Sequence, residues 1–290
     1  MKKHLLPLIL LAASLSANDH SDETLPDRWR INAGAYLTGD FSTNLDFVSH
    51  DGYSAGMNVQ ELFKMESDLA SLYVDGFFRI SPYHRIEIGY YGTRTGGSSN
   101  SAFTLFGGIE NIPDVNISAG ANSHFNTSTI KMVYSYSLFH NEEVEAAVSI
   151  GLHITAFNVG FQANIEDIGG EFGFAFNQAI PVIGTRLEYH FFPVWSVFYS
   201  FDIFALNAGL KLTQNEEGSI PQYLVDNFTG FSGYMSNFDL GTEYRIGDHF
   251  GIGATFNYQI QDFSMELKDT YDIGVDSTIV GLALYGTLHF

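Results

Sequence analysis

The chain has 290 residues, a length that fits either two average domains or one β-barrel. Charged residues make up only 16%, against about 25% in ordinary soluble domains, while aromatic residues reach 15% and Gly fills 29 positions. With 13 Lys and Arg against 33 Asp and Glu, the net charge of −20 offers no footprint for a polyanion, which excludes nucleic acid as a partner. The absence of Cys removes disulfides, zinc knuckles and thiol nucleophiles together.

The first segment, MKKHLLPLILLAASLSA (residues 1–17), opens on Lys2 and Lys3, runs through an apolar stretch and closes on small residues. It reads as a secretory signal peptide, with cleavage expected after Ser16 or Ala17 and a short segment, 18–28, left on the periplasmic side. Downstream no run of 18 apolar residues occurs, so no transmembrane helix is expected.

What recurs instead is a period of two. In FGIGATFNYQIQ, Phe250, Ile252, Ala254, Phe256, Tyr258 and Ile260 share one face, and Gly251, Gly253, Thr255, Asn257, Gln259 and Gln261 share the other. VEAAVSIGLHITA alternates in the same way. Ten such strands are expected over residues 29–290, starting near Trp29, Leu72, Arg85, Ser128, Val144, Thr185, Trp195, Asn237, Phe250 and Ser277.

Four connections are tight: Ser81 to His84, His140 to Glu143, Phe192 to Val194 and Gly247 to His249. Five are long, spanning residues 49–69, 95–125, 160–182, 209–230 and 262–276. Short turns at one rim and long loops at the other predict an all-β, antiparallel up-and-down transmembrane barrel of a Gram-negative outer membrane. In it the turns face the periplasm and the loops face outside.

A soluble sandwich would also show alternating strands, but its charges would be free to fall on either face. Here Arg30, Asp75, Arg79, Arg85, Glu87, Lys131, Glu145, Arg186, Glu188, Asp202, Asp239, Glu243 and Arg245 all take the polar parity. An Arg or Lys facing lipid costs about 2–4 kcal/mol at the bilayer midplane, which accounts for the exclusion.

The final strand ends LYGTLHF, and its Phe290 resembles the assembly signal of Gram-negative outer-membrane proteins, which implies the barrel-assembly machinery as a partner. The segments YHRIEIGYYGTRTGG, STIKMVYSYSLF, AVSIGLHI, AIPVIGTRLEYHF and DHFGIGATFNYQIQDFSM resemble a widespread proteobacterial family of small outer-membrane β-barrels. The resemblance implies the fold across the whole chain after the signal. Because members of that family have no assigned function, it brings no catalytic residues and no cofactor.

A barrel of about ten strands is only slightly wider than an eight-stranded one, whose interior is filled by side chains. A salt-bridged interior is therefore expected, with Arg186 and Glu188, Glu243 and Arg245, and Asp75 and Arg79 spaced on one strand each and further partners on neighbouring strands. The long loops hold about half of the 33 acidic residues, densest at Asp262, Glu266, Asp269, Asp272 and Asp276. Such a run is a solvated face, or a surface for divalent cations that bridge lipopolysaccharide phosphates. It matches no calcium-loop spacing, so no metal site is assigned. The stretch NVQELFKME, with Val59, Leu62 and Phe63, is either a short helix or a strand extension.

Catalytic constellations are thin. His84, His140, His190, His249 and His289 map to the turn rim, and only His153 faces the lumen in the outer half. The sequence therefore predicts a non-enzymatic, monomeric outer-membrane barrel in contact with lipid and lipopolysaccharide, with an envelope or surface role. A narrow channel for small solutes is the alternative.

Overall fold

The computed structural model describes residues 27–49, 54–58, 65–67, 70–99, 102–105, 115–118, 121–165, 168–192, 194–208, 228–267 and 271–290. The expected signal segment 1–17, and residues 59–64 of the expected short helix, lie outside the described residues.

Ten antiparallel strands close into one barrel. They are β1 (Trp29–Ser49), β2 (Ser71–Ser81), β3 (His84–Ser99), β4 (Ala121–His140), β5 (Val144–Ile165), β6 (Ile168–Phe192), β7 (Trp195–Ala208), β8 (Phe228–Arg245), β9 (Phe250–Leu267) and β10 (Tyr271–His289). Each pairs with its neighbours in the chain. β10 returns to β1 from Arg30↔His289 to Ser49↔Tyr271, with one bulge between Thr38 and Asp40. Closure leaves no open edge, the condition for a sheet to cross a bilayer. Among the described residues no helix is long and apolar enough to cross a membrane.

The four tight turns lie where the sequence places them. In the turn between β4 and β5 the Asn141 side-chain oxygen accepts from the backbone N–H of Glu143 (2.9 Å) and of Val144 (2.6 Å). The turn between β8 and β9 uses Gly247 at φ 123°, where a side chain would be strained.

The outer wall follows the parity of the strands. Ile252, Phe256 and Tyr258 of β9, Leu282 and Leu284 of β10, Ile150 and Leu152 of β5, and Ile130 and Met132 of β4 are all exposed. From Phe250 to Ile260 the apolar row of β9 rises about 33 Å along the strand and about 25 Å along the barrel axis at a tilt near 40°, the height of a lipid-facing band. Aromatic side chains gather at the turn rim. There Trp29 meets Phe78 edge-on at 5.8 Å, Trp195 meets Tyr244 at 5.6 Å, and the His249 and Phe290 rings stack at 5.7 Å.

The other rim differs from the expectation of five long loops. β5 and β6 pair from Tyr189↔Val144 up to Ile168↔Ile165, so the predicted loop 160–182 is largely a hairpin wall. β9 and β10 stay paired to Glu266↔Asp272, and the predicted loop 262–276 is likewise strand. Short strands also extend the wall, with Ser54–Asn58 on β1, Met65–Ser67 on β3, and Ala102–Leu105 paired to Val115–Ser118. Above the lipid no apolar-out rule constrains the strands, so the alternation that marks them in the sequence fades. Asp46, Asp262 and Asp276 consequently stand exposed on the outer face of β1, β9 and β10, above the apolar band.

Candidate functional site

The lumen is the only place where the fold gathers chemically active side chains among the described residues. All thirteen charges that the sequence singles out point inward, and their surroundings divide into a floor near the turn rim and a group at mid-height.

In the floor, Arg30, Arg79, Arg85, Arg186 and Arg245 face Asp27, Glu87, Glu145, Glu188 and Glu243, five cations against five carboxylates. Arg79 grips Glu145 with two hydrogen bonds, 3.0 Å from Nη1 and 2.5 Å from Nη2. Arg85, which has no exposed side-chain surface, donates to Glu87 through Nε at 2.9 Å and lies 3.8 Å from both Glu145 and Glu188. Arg186 bridges Glu87 at 3.2 Å and also donates to Glu188, which accepts from Arg30 at 2.7 Å. Ser135 and Ser137 complete the shell by donating to Glu87 (2.7 Å) and Glu145 (2.6 Å).

The hub of the floor is a hydrocarbon ring. Four guanidinium carbons lie near the Phe77 centroid: Arg85 at 4.5 Å, Arg30 at 4.7 Å, Arg79 at 5.0 Å and Arg186 at 5.7 Å. All are within reach of the negative π-face, which offsets part of the repulsion among the like charges.

At mid-height Lys131 lies 3.0 Å from Asp202 and 3.9 Å from Asp239, and His153 Nε2 lies 3.3 Å from Asp202. Asp239 also accepts from Asn257 (2.6 Å), Ser200 (3.0 Å) and Asn237 (3.0 Å). Two tyrosine pairs frame this level, Tyr36 with Tyr91 at 5.6 Å and Tyr73 stacked on Tyr285 at 5.5 Å. Inward glycines make room for them: a Cβ on Gly281 would meet the Tyr36 ring at 2.2 Å, and one on Gly253 would meet Tyr285 at 2.4 Å. Between floor and tyrosines lies a cavity of about 50 Å³, room for a few waters.

Two of the three same-strand pairs form otherwise than the sequence suggests. Arg186 and Glu188 do meet. Glu243 instead faces Arg30 at 3.8 Å and His289 at 2.7 Å, while Arg245 holds Asp27 at 2.6 Å. Arg79 turns to Glu145, and among the described residues Asp75 forms no close ion pair, its contact being the Asn32 amide at 3.4 Å. The partners reach across the bore, from β2 to β5 for Arg79 with Glu145 and from β8 to β1 for Glu243 with Arg30, because closing ten strands into a narrow barrel brings inward side chains of non-adjacent strands together.

Sequence reasoning also missed three members of the floor. His289 places one ring nitrogen 2.8 Å from Asp27 and the other 2.7 Å from Glu243, and it is almost wholly buried. Its parity with Thr287 and Tyr285 already puts it on the inner face. Asp27 precedes the first alternating residue and carries no pattern, and nothing in the local sequence distinguishes Phe77 from a lipid-facing Phe except parity. Burial raises the Asp27 carboxyl, but the hydrogen bond and charge of His289, with Arg245 and Arg30 behind them, outweigh it and hold the carboxyl below its usual range. Among the described residues no group of three or more His, Asp or Glu could hold a metal ion.

No protein-family model and no curated protein matches the chain. Among solved structures the outer membrane protease OmpT of Escherichia coli superposes with a TM-score of 0.55 at 12% identity, over 93% of this chain and 100% of that one. The translocator domain of the autotransporter NalP from Neisseria meningitidis gives 0.41 at 10% identity, covering 98% and 94%. The outer membrane protein OprG from Pseudomonas aeruginosa gives 0.35 at 10%, covering 92% and 99%. The first likeness shows the fold, and a closed antiparallel barrel with a mostly apolar outer wall is that of a β-barrel protein of the outer membrane.

Proposed function

We propose that this barrel is a plugged, non-enzymatic envelope protein that acts through its outer surface rather than by conducting solutes. The observation that carries the reading is the floor: ten paired charges, four of them guanidinium groups over Phe77, occupy the lumen near the turn rim. A conducting path there would need several buried ion pairs to part at once, each loss leaving an uncompensated charge.

In this reading the turn rim faces the periplasm and the tall strand walls face outside, with lipid and lipopolysaccharide against the apolar band and the acidic residues above it. Phe290, at the end of the lipid-facing row of β10, serves as the contact for the barrel-assembly machinery, and the barrel works as a monomer. Deletion of Phe290 is expected to lower the membrane-inserted fraction sharply in fractionated cells; unchanged insertion would remove that assignment.

Proteolysis is not carried over from OmpT, because a likeness at 12% identity reaches the fold alone. Among the described residues the histidine–carboxylate pair at mid-height is His153 with Asp202, which is buried and does not line the cavity. The test of the main reading is purified protein added to a planar lipid bilayer. The plugged barrel gives no stable unitary steps. Reproducible steps would favour the narrow channel, for which the mid-height cavity would be a solute chamber.

A further inference from the structure

Nine of the ten charged side chains of the floor are carried by barrel strands, and the tenth is not. Asp27 and its neighbour Arg28 precede β1 and lie in no strand. The Arg28 N–H donates to the Phe290 main-chain oxygen at 2.8 Å, and the Arg28 carbonyl accepts from the Arg79 N–H at 2.9 Å. These two bonds carry the ladder one residue past the wall. Asp27 then turns in under the bore, where it is almost wholly buried. Its carboxylate accepts from Arg245 Nη2 at 2.6 Å and lies 2.8 Å from His289 Nδ1, while its main-chain oxygen accepts from Arg79 Nε at 3.1 Å.

Three strands, β2, β8 and β10, are thus gripped from below by one residue that belongs to none of them. Its contact with His289 joins positions 262 residues apart, so it closes after the local hairpins have formed. It also covers the most open part of the floor, since the Arg245 side chain is 22% exposed where those of Arg30, Arg79, Arg85 and Arg186 are 8% or less. When Asp27 leaves, Arg79 keeps Glu145 and His289 keeps Glu243. The wall loses no strand pairing.

We infer that Asp27 and Arg28 form a terminal strap that has two positions on an intact barrel: docked, it seals the floor against the water of the turn rim, and released, it opens that end of the floor. The inference rests on the plugged reading of the bore and names the movable part of the plug. One carboxylate and a few main-chain bonds hold the strap, against whole ladders in the wall, so it opens locally far more often than the barrel unfolds.

Two readouts on the full folded protein in detergent test this. Residues 18–27 contain no Lys or Arg, so trypsin acting on a released strap cuts first after Arg28, and mass spectrometry identifies the shortened chain. The chain has no Cys, so Ser137→Cys supplies a single thiol on the inner face of β4, 1% exposed and beside the Glu145 that Arg79 grips. Its reaction with a membrane-impermeant maleimide reports whether the floor is sealed.

In the parent both reactions are expected to be slow, and Asp27→Ala should speed each several-fold while the circular dichroism of the barrel stays unchanged. Should Asp27→Ala fail to fold, Asp27→Asn keeps the shape without the charge and should speed both to a lesser degree. Failure of both variants to fold overturns the inference, because a strap leaves the wall intact. A parent cut after Arg28 as fast as Asp27→Ala overturns it, and so does faster cutting with unchanged labelling. Stable conductance steps in the parent would instead overturn the plugged reading, whereas a silent parent with both rates unchanged in the variants removes the strap alone.

Discussion

Below the cavity the lumen is filled by charge, and above it by neutral groups. The floor holds ten charged side chains, with four of its guanidinium groups over the Phe77 ring. The upper lumen is closed by Met235, Ile180, Gln259 and Gln261, all fully buried, and by hydroxyl pairs such as Thr38 with Thr93 at 3.1 Å and Thr129 with Thr155 at 3.3 Å. The same ten strands thus fill one bore in two ways, and the two ways respond differently to damage. An ion-pair net fixes each partner, since every lost charge strands another, whereas neutral groups of similar volume can replace one another at small cost.

The largest effect is therefore expected at Glu188. It accepts from Arg30 at 2.7 Å and from Arg186, and lies 3.8 Å from Arg85, so Glu188→Ala removes the carboxylate that three buried guanidinium groups share and leaves the floor one cation in excess. The expected loss is about 3–5 kcal/mol in denaturant unfolding of the detergent-solubilised barrel. Arg186→Ala and Glu243→Ala should follow in the same direction. A loss below about 1 kcal/mol for Glu188→Ala would mean that water screens the floor, and the contrast with the upper lumen would collapse.

This contrast also separates what the sequence makes legible from what it hides. The barrel, its ten strands and the inward parity of Arg30 or Glu188 are readable, because lipid enforces apolar residues on the other parity throughout the band. Above the band that enforcement ends, and strand residues such as Asp262 and Asp276 read as loop. Partner choice in the floor is hidden for another reason. Parity says that Glu243 points inward, but only barrel tilt and closure decide that it meets Arg30 and His289 rather than Arg245. In the upper lumen Gln259 and Met235 are inward by parity, yet an inward neutral residue says nothing about whether it packs or lines a path.

Second in size is the tyrosine level between the two regions. Tyr36 lies across Gly281 and donates to Asn257 at 2.8 Å. A methyl group in Gly281→Ala must displace a ring that is 1% exposed, at an expected cost of about 1–3 kcal/mol. A neutral result in the same unfolding assay would show that the ring has room to move, and would make this level part of the soft upper lumen.

A smaller effect, about 1 kcal/mol or less, is expected where the floor meets the turn rim. The Asp27 carboxyl is held below its usual range in the folded barrel, so between its folded and unfolded values the unfolded chain binds more protons. Its contribution is complete above about pH 4 and is lost as the pH falls through the lower folded value. Asp27→Asn should thus flatten part of the acid limb of stability against pH and leave the neutral limb nearly parallel to the parent. An unchanged acid limb would take Asp27 out of the floor.

The smallest effect is expected at Met235, and it tests the other half of the contrast. Its sulfur is approached by the Gln259 and Gln261 amides at 3.8 and 3.9 Å, and these are weak contacts to a soft acceptor. Met235→Leu conserves volume and removes only those contacts, so a change below about 1.5 kcal/mol follows if the upper lumen is held by packing. The side chain is wholly buried, which excludes rescue by solvent. A loss as large as that of Glu188→Ala would show that the two glutamines depend on the sulfur as strictly as the arginines depend on Glu188. The neutral closure would then be a specified network like the floor, and the bore would carry two rigid septa rather than one.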